Sequence, residues 1–387
     1  SGFDASADLF VMSGDLSDGA FDDSGKVYTA TYTPNDNIES TTNLIVLNRN
    51  WTDAADNQPA LTTSSPSFAI DTVEPTATVA LDVSTLKIGE TATVTVTFSE
   101  VPTNFVEADD LTVANGTLSD GAFDSTGKIY TATFTPTDDV TDATNTVTLS
   151  TQWTDAAGNA PENTASSGNI AIDTVEPTAT VALSDTAIKA GETATVTVTF
   201  SEVPTGFVEA DDLTVDNGTL SNGSFDDSGL VYTATYTPTE DIDDATNAIT
   251  LGAAWTDPAG NAPEAQAVSD NYTIDTTRPT ATVAISDTAL TVGETATVTV
   301  TFSEVPQNFI EADDLSAANG TLSGGQFDDS GLVYTATFTP STDVESTENA
   351  ITLGQNWTNS SANHRLNDTS RNSYAIDTKQ PTATLAL

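Results

Sequence analysis

Carboxylates are the most numerous side chains in this 387-residue sequence that could do chemistry. Asp and Glu total 57 against 9 Lys and Arg, which gives a formal net charge of −48. Cysteine is absent and His364 is the single histidine, so the thiolate or clustered imidazole ligands of a zinc site are excluded. Oxygen ligands drawn from several loops suit Ca²⁺, which binds about six to eight of them, better than Mg²⁺, which requires an octahedron. The composition therefore favours calcium.

The sequence is a tandem array with a period of 102 residues. The segment TATVTVTFSEVP begins at Thr91, Thr193 and Thr295, and Asp-Thr pairs recur at the same interval. This period is too long for a solenoid repeat and suits one small domain with its own core. Phased on the Asp-Thr pairs, the array divides into repeat 1 (residues 1–70), repeat 2 (71–172), repeat 3 (173–274), repeat 4 (275–376) and a tail (377–387).

Both ends of the array are predicted to be incomplete. Repeat 1 is a partial repeat that lacks the first two strands, A and B, and the tail would form the first strand of a further repeat. Together the two ends still omit the equivalent of residues 82–102, so exchange of ends between copies would not rebuild a domain. We therefore expect a segment of a longer polypeptide.

Alternation within repeat 2 predicts an all-β fold. Ala92, Val94, Val96 and Phe98 would point to one face of a strand and the intervening threonines to the other. No segment has helical periodicity. Seven antiparallel strands around an inward tryptophan indicate tandem immunoglobulin-like β-sandwich domains arranged end to end. The predicted strands A to G of repeat 2 cover residues 76–82, 91–99, 110–114, 117–123, 128–135, 146–153 and 169–172.

The motifs of each repeat resemble a known family. The order DT-x-x-PTATVAL, GETATVTVTFSE, EADDL, WTDAAGNAP and AIDT is similar to the bacterial Ig-like tandem repeats of giant adhesins exported by type I secretion. These include biofilm-associated proteins, giant non-fimbrial adhesins and the extender regions of ice-binding adhesins. The resemblance implies an extracellular, calcium-rigidified spacer at the bacterial cell surface that serves cell adhesion or biofilm formation.

The predicted sandwich topology gathers acidic loops at the junctions between repeats. The BC, DE and FG loops share the end where the chain enters a repeat, and the AB and EF loops share the end where it leaves. Carboxylates crowded there would repel unless a cation neutralises them, although any single one could simply be solvated. We predict Ca²⁺ ligands at the junction of repeats 2 and 3 from Glu90, Asp138, Asp139, Asp173, Glu176, Glu202, Asp211, Asp212 and Asp257. The predicted ligands at the junction of repeats 3 and 4 are Glu192, Asp241, Asp275, Glu304, Asp313 and Asp314.

Repeat 4 departs from the motif WTDAAGNAPE at its FG loop. The loop acid is replaced by the amide Asn359, and His364 and Arg365 add basic groups. This replacement leaves two interpretations open: the FG loop is not an essential ligand at every junction, or the chain bends there.

Composition and repetition also limit the function classes. A strongly negative field repels phosphate backbones, which excludes nucleic acid, and no apolar run is long enough for membrane insertion. Catalysis is not expected, because the acids recur with the period instead of forming one unique site. The predicted function is an extracellular shaft segment of a giant bacterial adhesin, whose partners are Ca²⁺ and neighbouring repeats. The alternative is a self-assembling fibre or surface-layer protein whose repeats make strand contacts with other copies.

Overall fold

The structure is a computed structural model that describes residues 2–365 and 371–385, without the side chain of Arg371. The chain divides into two compact units, Ser1–Glu176 and Pro177–Leu387. Repeats 1 and 2 belong to the first unit, and repeats 3 and 4 to the second. In the described ranges, no helix is long and apolar enough to cross a membrane.

Repeat 1 is an open half-sandwich. Its elements are α1 (Ala5–Asp8), β1 (Leu9–Val11), β2 (Gly14–Phe21), β3 (Tyr28–Pro34), β4 (Glu39–Asn43), β5 (Ile45–Leu47), β6 (Thr63–Ser64) and β7 (Phe68–Asp71). Strand β3 pairs with β2 in a two-stranded sheet. A cavity of about 740 Å³ beside them is lined by Phe21, Tyr28 and Trp51. The cavity lies where the complete repeats place their first two strands.

Repeat 2 is a complete two-layer sandwich. Its elements are β8 (Ala77–Leu81), β9 (Thr85–Lys87), β10 (Ala92–Phe98), α2 (Glu107–Asp110), β11 (Leu111–Val113), β12 (Gly116–Phe123), β13 (Ile129–Pro136), β14 (Thr141–Asn145), β15 (Val147–Leu149), β16 (Ala165–Ser166) and β17 (Ile170–Asp173). One layer has the order β12-β13-β10-β8, and the other contains β11-β15-β16 and β14-β17-β9. All these pairings are antiparallel except β9 with β17, which is parallel. The arrangement confirms the predicted all-β, immunoglobulin-like sandwich.

Repeat 3 follows the same plan as repeat 2. Its elements are β18 (Ala179–Leu183), β19 (Ala187–Lys189), β20 (Ala194–Phe200), α3 (Glu209–Asp212), β21 (Leu213–Val215), β22 (Gly218–Phe225), β23 (Val231–Pro238), β24 (Asp243–Asn247), β25 (Ile249–Leu251), β26 (Ala267–Val268) and β27 (Tyr272–Asp275). Its four-stranded layer has the order β18-β20-β23-β22.

In repeat 4 the second layer is a continuous sheet, whereas in repeats 2 and 3 the same layer is divided into two smaller sheets. Its elements are β28 (Ala281–Ile285), β29 (Ala289–Thr291), β30 (Ala296–Phe302), α4 (Glu311–Asp314), β31 (Leu315–Ala317), β32 (Gly320–Phe327), β33 (Val333–Pro340), β34 (Glu345–Leu353) and β35 (Arg371–Asp377). Here the layer is a single four-stranded sheet, β29-β35-β34-β31. Strand β34 runs without a break where repeats 2 and 3 have two short strands.

The core of each complete repeat follows from the alternation in its sequence. In repeat 2, Val94 and Val96 of β10 are fully buried, and Trp153 is 1% exposed. The rings of Phe98 and Trp153 meet edge to face with centroids 4.8 Å apart. Each large apolar side chain buried in this way stabilises the fold by roughly 1.5–3 kcal/mol. Separate clusters of this kind fill repeats 2, 3 and 4.

The structure differs from the sequence-based prediction in several places. Repeat 2 has ten strands and not seven, because β9, β14 and β16 lie in segments predicted as loops, and the pairing of β9 with β17 is parallel. The segment EADD forms one helical turn, α2 in repeat 2, which is too short to show a 3.6-residue period. The strand predicted over 146–153 ends at Leu149, so Trp153 lies in a loop, where its indole Nε1 donates to the carbonyl of Ser150 at 3.1 Å. In the tail, residues 378–385 form no strand; Ala386 and Leu387 lie outside the described residues.

We expect Trp153→Ala to lower the opening free energy of repeat 2 by about 3–5 kcal/mol, because it leaves a cavity in a closed core. Hydrogen exchange of β13 and β15 amides reports that repeat alone. The control is Trp51→Ala at the equivalent position of repeat 1, where the indole is only half-buried beside the open cavity. Its cost should be smaller; an equal cost would contradict the role assigned to the closed core.

Candidate metal centre

Three carboxylates meet where repeat 1 joins repeat 2, which we call joint 1–2. Asp71 ends β7, Glu100 follows β10, and Asp155 lies in the loop after Trp153. One oxygen from each lies within 4.8 Å of an oxygen from each of the others. We call this group the Asp71 triad. It assembles because the end of the incoming strand, the end of β10 and the tryptophan loop share one end of the sandwich.

Asp155 is fixed by its own loop. Its carboxylate is 1% exposed, and Oδ1 accepts the backbone N–H groups of Ala157 and Asn159 at 2.8 and 2.9 Å. The side chain of Asn159 donates to Asp155 Oδ2 at 2.8 Å and to the carbonyl of Asp71 at 3.2 Å. Burial acts to raise the pKa of Asp155, but these hydrogen bonds outweigh it and hold the pKa below its ordinary value. The loop therefore holds a charged carboxylate in place.

Glu100 shows the electrostatic consequence of this crowding. Burial first, and then the negative charges of Asp71 and Asp155, raise the pKa of Glu100. Glu39 of repeat 1 adds to the effect, and Lys128 partly opposes it. A cavity of about 660 Å³ beside the triad is lined by Glu39 and Glu100 among others. Negative charge is in excess here, and there is room for a cation.

The equivalent position between repeats 3 and 4, joint 3–4, contains two predicted ligands. Asp275 and Glu304 are brought together, as the sequence analysis expected of them. Between them lies Asn359, whose Nδ2 donates to Asp275 Oδ2 at 3.2 Å and to Glu304 Oε2 at 3.3 Å. An amide thus stands here where joint 1–2 has the carboxylate of Asp155.

The other predicted ligands are placed more loosely. Glu192 and Asp241 line one cavity of about 220 Å³ at the exit end of repeat 3, and Glu192 pairs with Lys189 Nζ at 3.4 Å. Asp173 accepts the Thr141 hydroxyl at 2.9 Å. Glu202 and Asp257 occupy in repeat 3 the positions that Glu100 and Asp155 have in repeat 2, and Asp257 accepts the side chain of Asn261 at 2.8 Å. Exposed to solvent are Glu90, Asp138, Asp139, Glu176, Asp211 and Asp313.

Asp212 and Asp314 have a different environment from the one the sequence analysis expected. Both are buried, and each carboxylate folds back onto its own short helix. Asp212 Oδ2 accepts the N–H of Val208 at 2.7 Å, and Asp314 Oδ2 accepts the N–H of Ile310 at 2.9 Å. This bond satisfies an N–H at the start of the helix, which has no other side-chain cap. The spacing of four residues in V-E-A-D-D was the signal for it.

The equivalent carboxylate in repeat 2, Asp110, has an additional partner. The Ser150 hydroxyl donates to Asp110 Oδ1 at 2.6 Å. In repeat 4 the serine position is Gly354, and Asp314 Oδ1 is buried without a hydrogen-bond partner. An unpaired buried acceptor costs free energy, so repeat 2 is the better satisfied of the two at this point.

We expect Ser150→Ala to lower the opening free energy of repeat 2 by about 1–3 kcal/mol, since it strands a buried carboxylate oxygen. Hydrogen exchange of α2 and β15 amides measures it. The matched control is Ser166→Ala, which removes an exposed hydroxyl that contacts Thr148 at 3.0 Å. A loss no larger than that of the control would show that Asp110 does not depend on this hydroxyl.

The chain is similar to several solved structures at low sequence identity. The Escherichia coli adhesin FdeC is 15% identical with a TM-score of 0.31, over 78% of this chain and 96% of that one. The titin fragment I67–I69 is 11% identical with a TM-score of 0.41 over 78% and 98%, and Yersinia pseudotuberculosis InvD is 14% identical with a TM-score of 0.28 over 79% and 86%. These structural likenesses are too distant to support a function.

Among curated proteins, none matches the chain. A family model described as a bacterial Ig-like domain does match, over residues 1–70, 71–172, 173–274 and 275–376. This match confirms the resemblance to bacterial Ig-like repeats that the sequence motifs indicated. With its repeated sandwiches and acidic joints, the chain belongs to the bacterial Ig-like domain family.

Proposed function

We propose that the chain is an extracellular shaft segment of a bacterial adhesin, stiffened by Ca²⁺ at its acidic joints. The observation that carries the proposal is the Asp71 triad, whose three carboxylates approach within 4.8 Å. A structural role, and not a catalytic one, suits a chain whose acidic groups recur from repeat to repeat.

The independence of the repeats supports a spacer. Each complete repeat has its own hydrophobic cluster, so each can fold as a separate domain. The relative position of neighbouring repeats then depends on the contacts at the joints. A high negative charge keeps such a chain soluble and separate from other copies. Length is then gained by adding repeats.

The charge at joint 1–2 supports a cation. Two unit charges about 5 Å apart repel by roughly 3 kcal/mol at an effective dielectric constant near 20. The triad contains three such pairs; burial first, and then the charges of Asp71 and Asp155, raise the pKa of Glu100. Ca²⁺ accepts carboxylate, carbonyl and water oxygens in a flexible geometry, so it suits a site built from several loops. The sequence repeats the three carboxylates 102 residues later as Asp173, Glu202 and Asp257.

A second candidate function is self-assembly into a fibre or surface layer. The open cavity of repeat 1 favours it, because β3 pairs only with β2 and Phe21, which lines the cavity, is exposed. Such an edge accepts a strand from another molecule unless the same polypeptide supplies one. The shaft is preferred because an internal strand of this type, β10, already fills the equivalent place in repeat 2.

Removing Ca²⁺ should broaden the range of angles between repeats and lower the thermal midpoint, and adding it back should restore both. Small-angle scattering with and without a chelator measures the first effect, and the same data give the molecular mass. Glu100→Gln should weaken the response, whereas Asp120→Asn, which removes an exposed charge on β12, should not. Identical profiles with and without chelator would rule out the calcium proposal, and a mass that grows with concentration would favour the fibre.

The pH dependence should reverse with Ca²⁺. The pKa of Glu100 is higher in the folded protein than in the unfolded chain, where it is about 4.3. Without metal, protonated Glu100 therefore stabilises joint 1–2 below that unfolded pKa, and this stabilisation is lost as the pH rises through the pKa of the folded protein. In chelator, acidification should therefore tighten the joint. With Ca²⁺, acidification should loosen it, because protons displace the metal. Small-angle scattering profiles recorded across this pH range, once in chelator and once in Ca²⁺, test the prediction. The same pH trend in both conditions would contradict the calcium proposal at joint 1–2.

A further inference from the structure

Joint 3–4 carries less negative charge than joint 1–2. The carboxylate of Asp155 is replaced by the amide of Asn359, and Glu74 in the linker is replaced by Arg278. Lys128, which partly opposes the negative charge at Glu100, is replaced by Leu332. The four carboxylates of joint 1–2 together with Lys128 give a formal charge of −3. Joint 3–4 retains two carboxylates and gains one guanidinium, for a charge of −1. The electrostatic reason for a cation is therefore weaker at joint 3–4.

Asn359 occupies the same loop as Asp155 and is equally buried, at 1% exposed. Its Oδ1 accepts the backbone N–H groups of Ser361 and Asn363 at 3.1 and 2.9 Å, as Asp155 Oδ1 does in repeat 2. Since backbone N–H groups can only donate, the amide oxygen must face them and the NH₂ group must face the opposite way. The orientation of the amide is therefore fixed by its loop.

The NH₂ group of Asn359 points into the carboxylate pair. It donates to Asp275 Oδ2 and Glu304 Oε2, and also lies 3.3 Å from the carbonyl oxygen of Thr277. Three acceptor oxygens thus converge on one NH₂ group, whose two hydrogens carry partial positive charge. A donor group at this point supplies the attraction that a cation would supply, and its hydrogens repel a cation.

Three further hydrogen bonds form at joint 3–4 without metal, and one of them, between Asn363 and Ala190, joins residues of the two repeats. Asn363 Nδ2 donates to the carbonyl of Asp275 at 2.8 Å, and Asn363 Oδ1 accepts the N–H of Ala190 from repeat 3 at 2.8 Å. Arg278 donates to the carbonyl of His364 at 3.0 Å and lines the cavity that holds Glu192 and Asp241. Its guanidinium thereby adds positive charge beside the acids at the exit end of repeat 3.

We propose that Asn359 makes joint 3–4 a cation-independent joint, closed by an amide and assisted by Arg278, within a chain whose other acidic joints respond to Ca²⁺. The contrast between joints rests on the proposed function, whereas the amide contacts do not. One segment would then keep a fixed angle between its repeats when Ca²⁺ is removed and the other joints loosen.

Distance measurements between spin labels test the proposal directly. The chain has no cysteine, so Ser224→Cys on β22 and Gln326→Cys on β32 place labels at two equivalent exposed positions on either side of joint 3–4. The expected result is a distance distribution of the same width in chelator and in Ca²⁺. A distribution that broadens in chelator would overturn the proposal.

The decisive variant is Asn359→Asp in the labelled chain. It keeps the loop, because Asp155 makes the same backbone contacts, and it exchanges one NH₂ for one oxygen. The distribution should become at least about twice as wide in chelator, and an unchanged width would overturn the proposal. Should the aspartate variant unfold repeat 4, as hydrogen exchange of β33 and β34 amides would show, Arg278→Glu leaves the loop intact and should produce the same broadening in smaller degree. No broadening there would count against the proposal.

A second label pair separates this inference from the proposed function. Ala20→Cys and Ala122→Cys occupy the equivalent exposed positions on either side of joint 1–2. If this pair shows no response to Ca²⁺, the calcium proposal fails, while the chelator result at joint 3–4 still decides the role of Asn359. If Asn359→Asp broadens the distribution and Ca²⁺ restores it, both proposals are supported; if Ca²⁺ does not restore it, only the amide role stands.

Discussion

Repulsion between carboxylates at the ends of the repeats is the interaction on which the geometry of the joints depends. Each hydrophobic cluster contains residues of one complete repeat only. The clusters therefore stabilise the individual repeats and contribute little to the contacts between neighbouring repeats. What remains at the joints is polar and mostly negative. At joint 1–2, burial and then the neighbouring charges of Asp71 and Asp155 raise the pKa of Glu100. The cores decide whether each repeat folds, and we propose that the charge at joints 1–2 and 3–4 decides how the repeats on either side are held.

The loop that contains Asp155 at joint 1–2 and Asn359 at joint 3–4 has the same backbone contacts but a different charge. Asp155 and Asn359 fix their loops with the same oxygen and the same pair of backbone donors. The second atom of the side chain is free to differ: an oxygen adds negative charge to the joint, and an NH₂ group removes the need to neutralise it. A single-atom difference thus changes what the joint requires without changing the fold that presents it.

The buried face of β10 could be predicted from the sequence because the alternation of apolar and polar residues reports burial directly. The alternation of β10 predicted the buried face that holds Val94 and Val96, because a strand exposes its side chains with a period of two. Asp275, which ends β27, and Glu304, which follows β30, lie at one end of the sandwich as the topology predicted, and both accept a hydrogen bond from Asn359. That they bind Ca²⁺ stays a prediction.

The missed features depend on short-range geometry that has no period. The single turn α2 is too short for a helical pattern, and the inward turn of Asp212 depends on one backbone N–H four residues earlier. The replacement of the loop acid by Asn359 was noticed in the sequence, but the direction of its amide follows from which groups surround it in three dimensions. Chemistry that depends on one hydrogen-bond donor is visible only once the loop is folded.

The parallel pairing of β9 with β17 has a mechanical consequence. These strands lie near the two ends of repeat 2 and pair in register, Thr85 with Ala171 and Lys87 with Asp173. Tension on the polypeptide pulls the two strands in opposite directions along their length, so the hydrogen bonds between them are loaded in shear and share the force. They must give way together, and not one after another as in an opening zipper. A protein that holds a cell against flow would experience this load, and each complete repeat contains the same pairing near its ends.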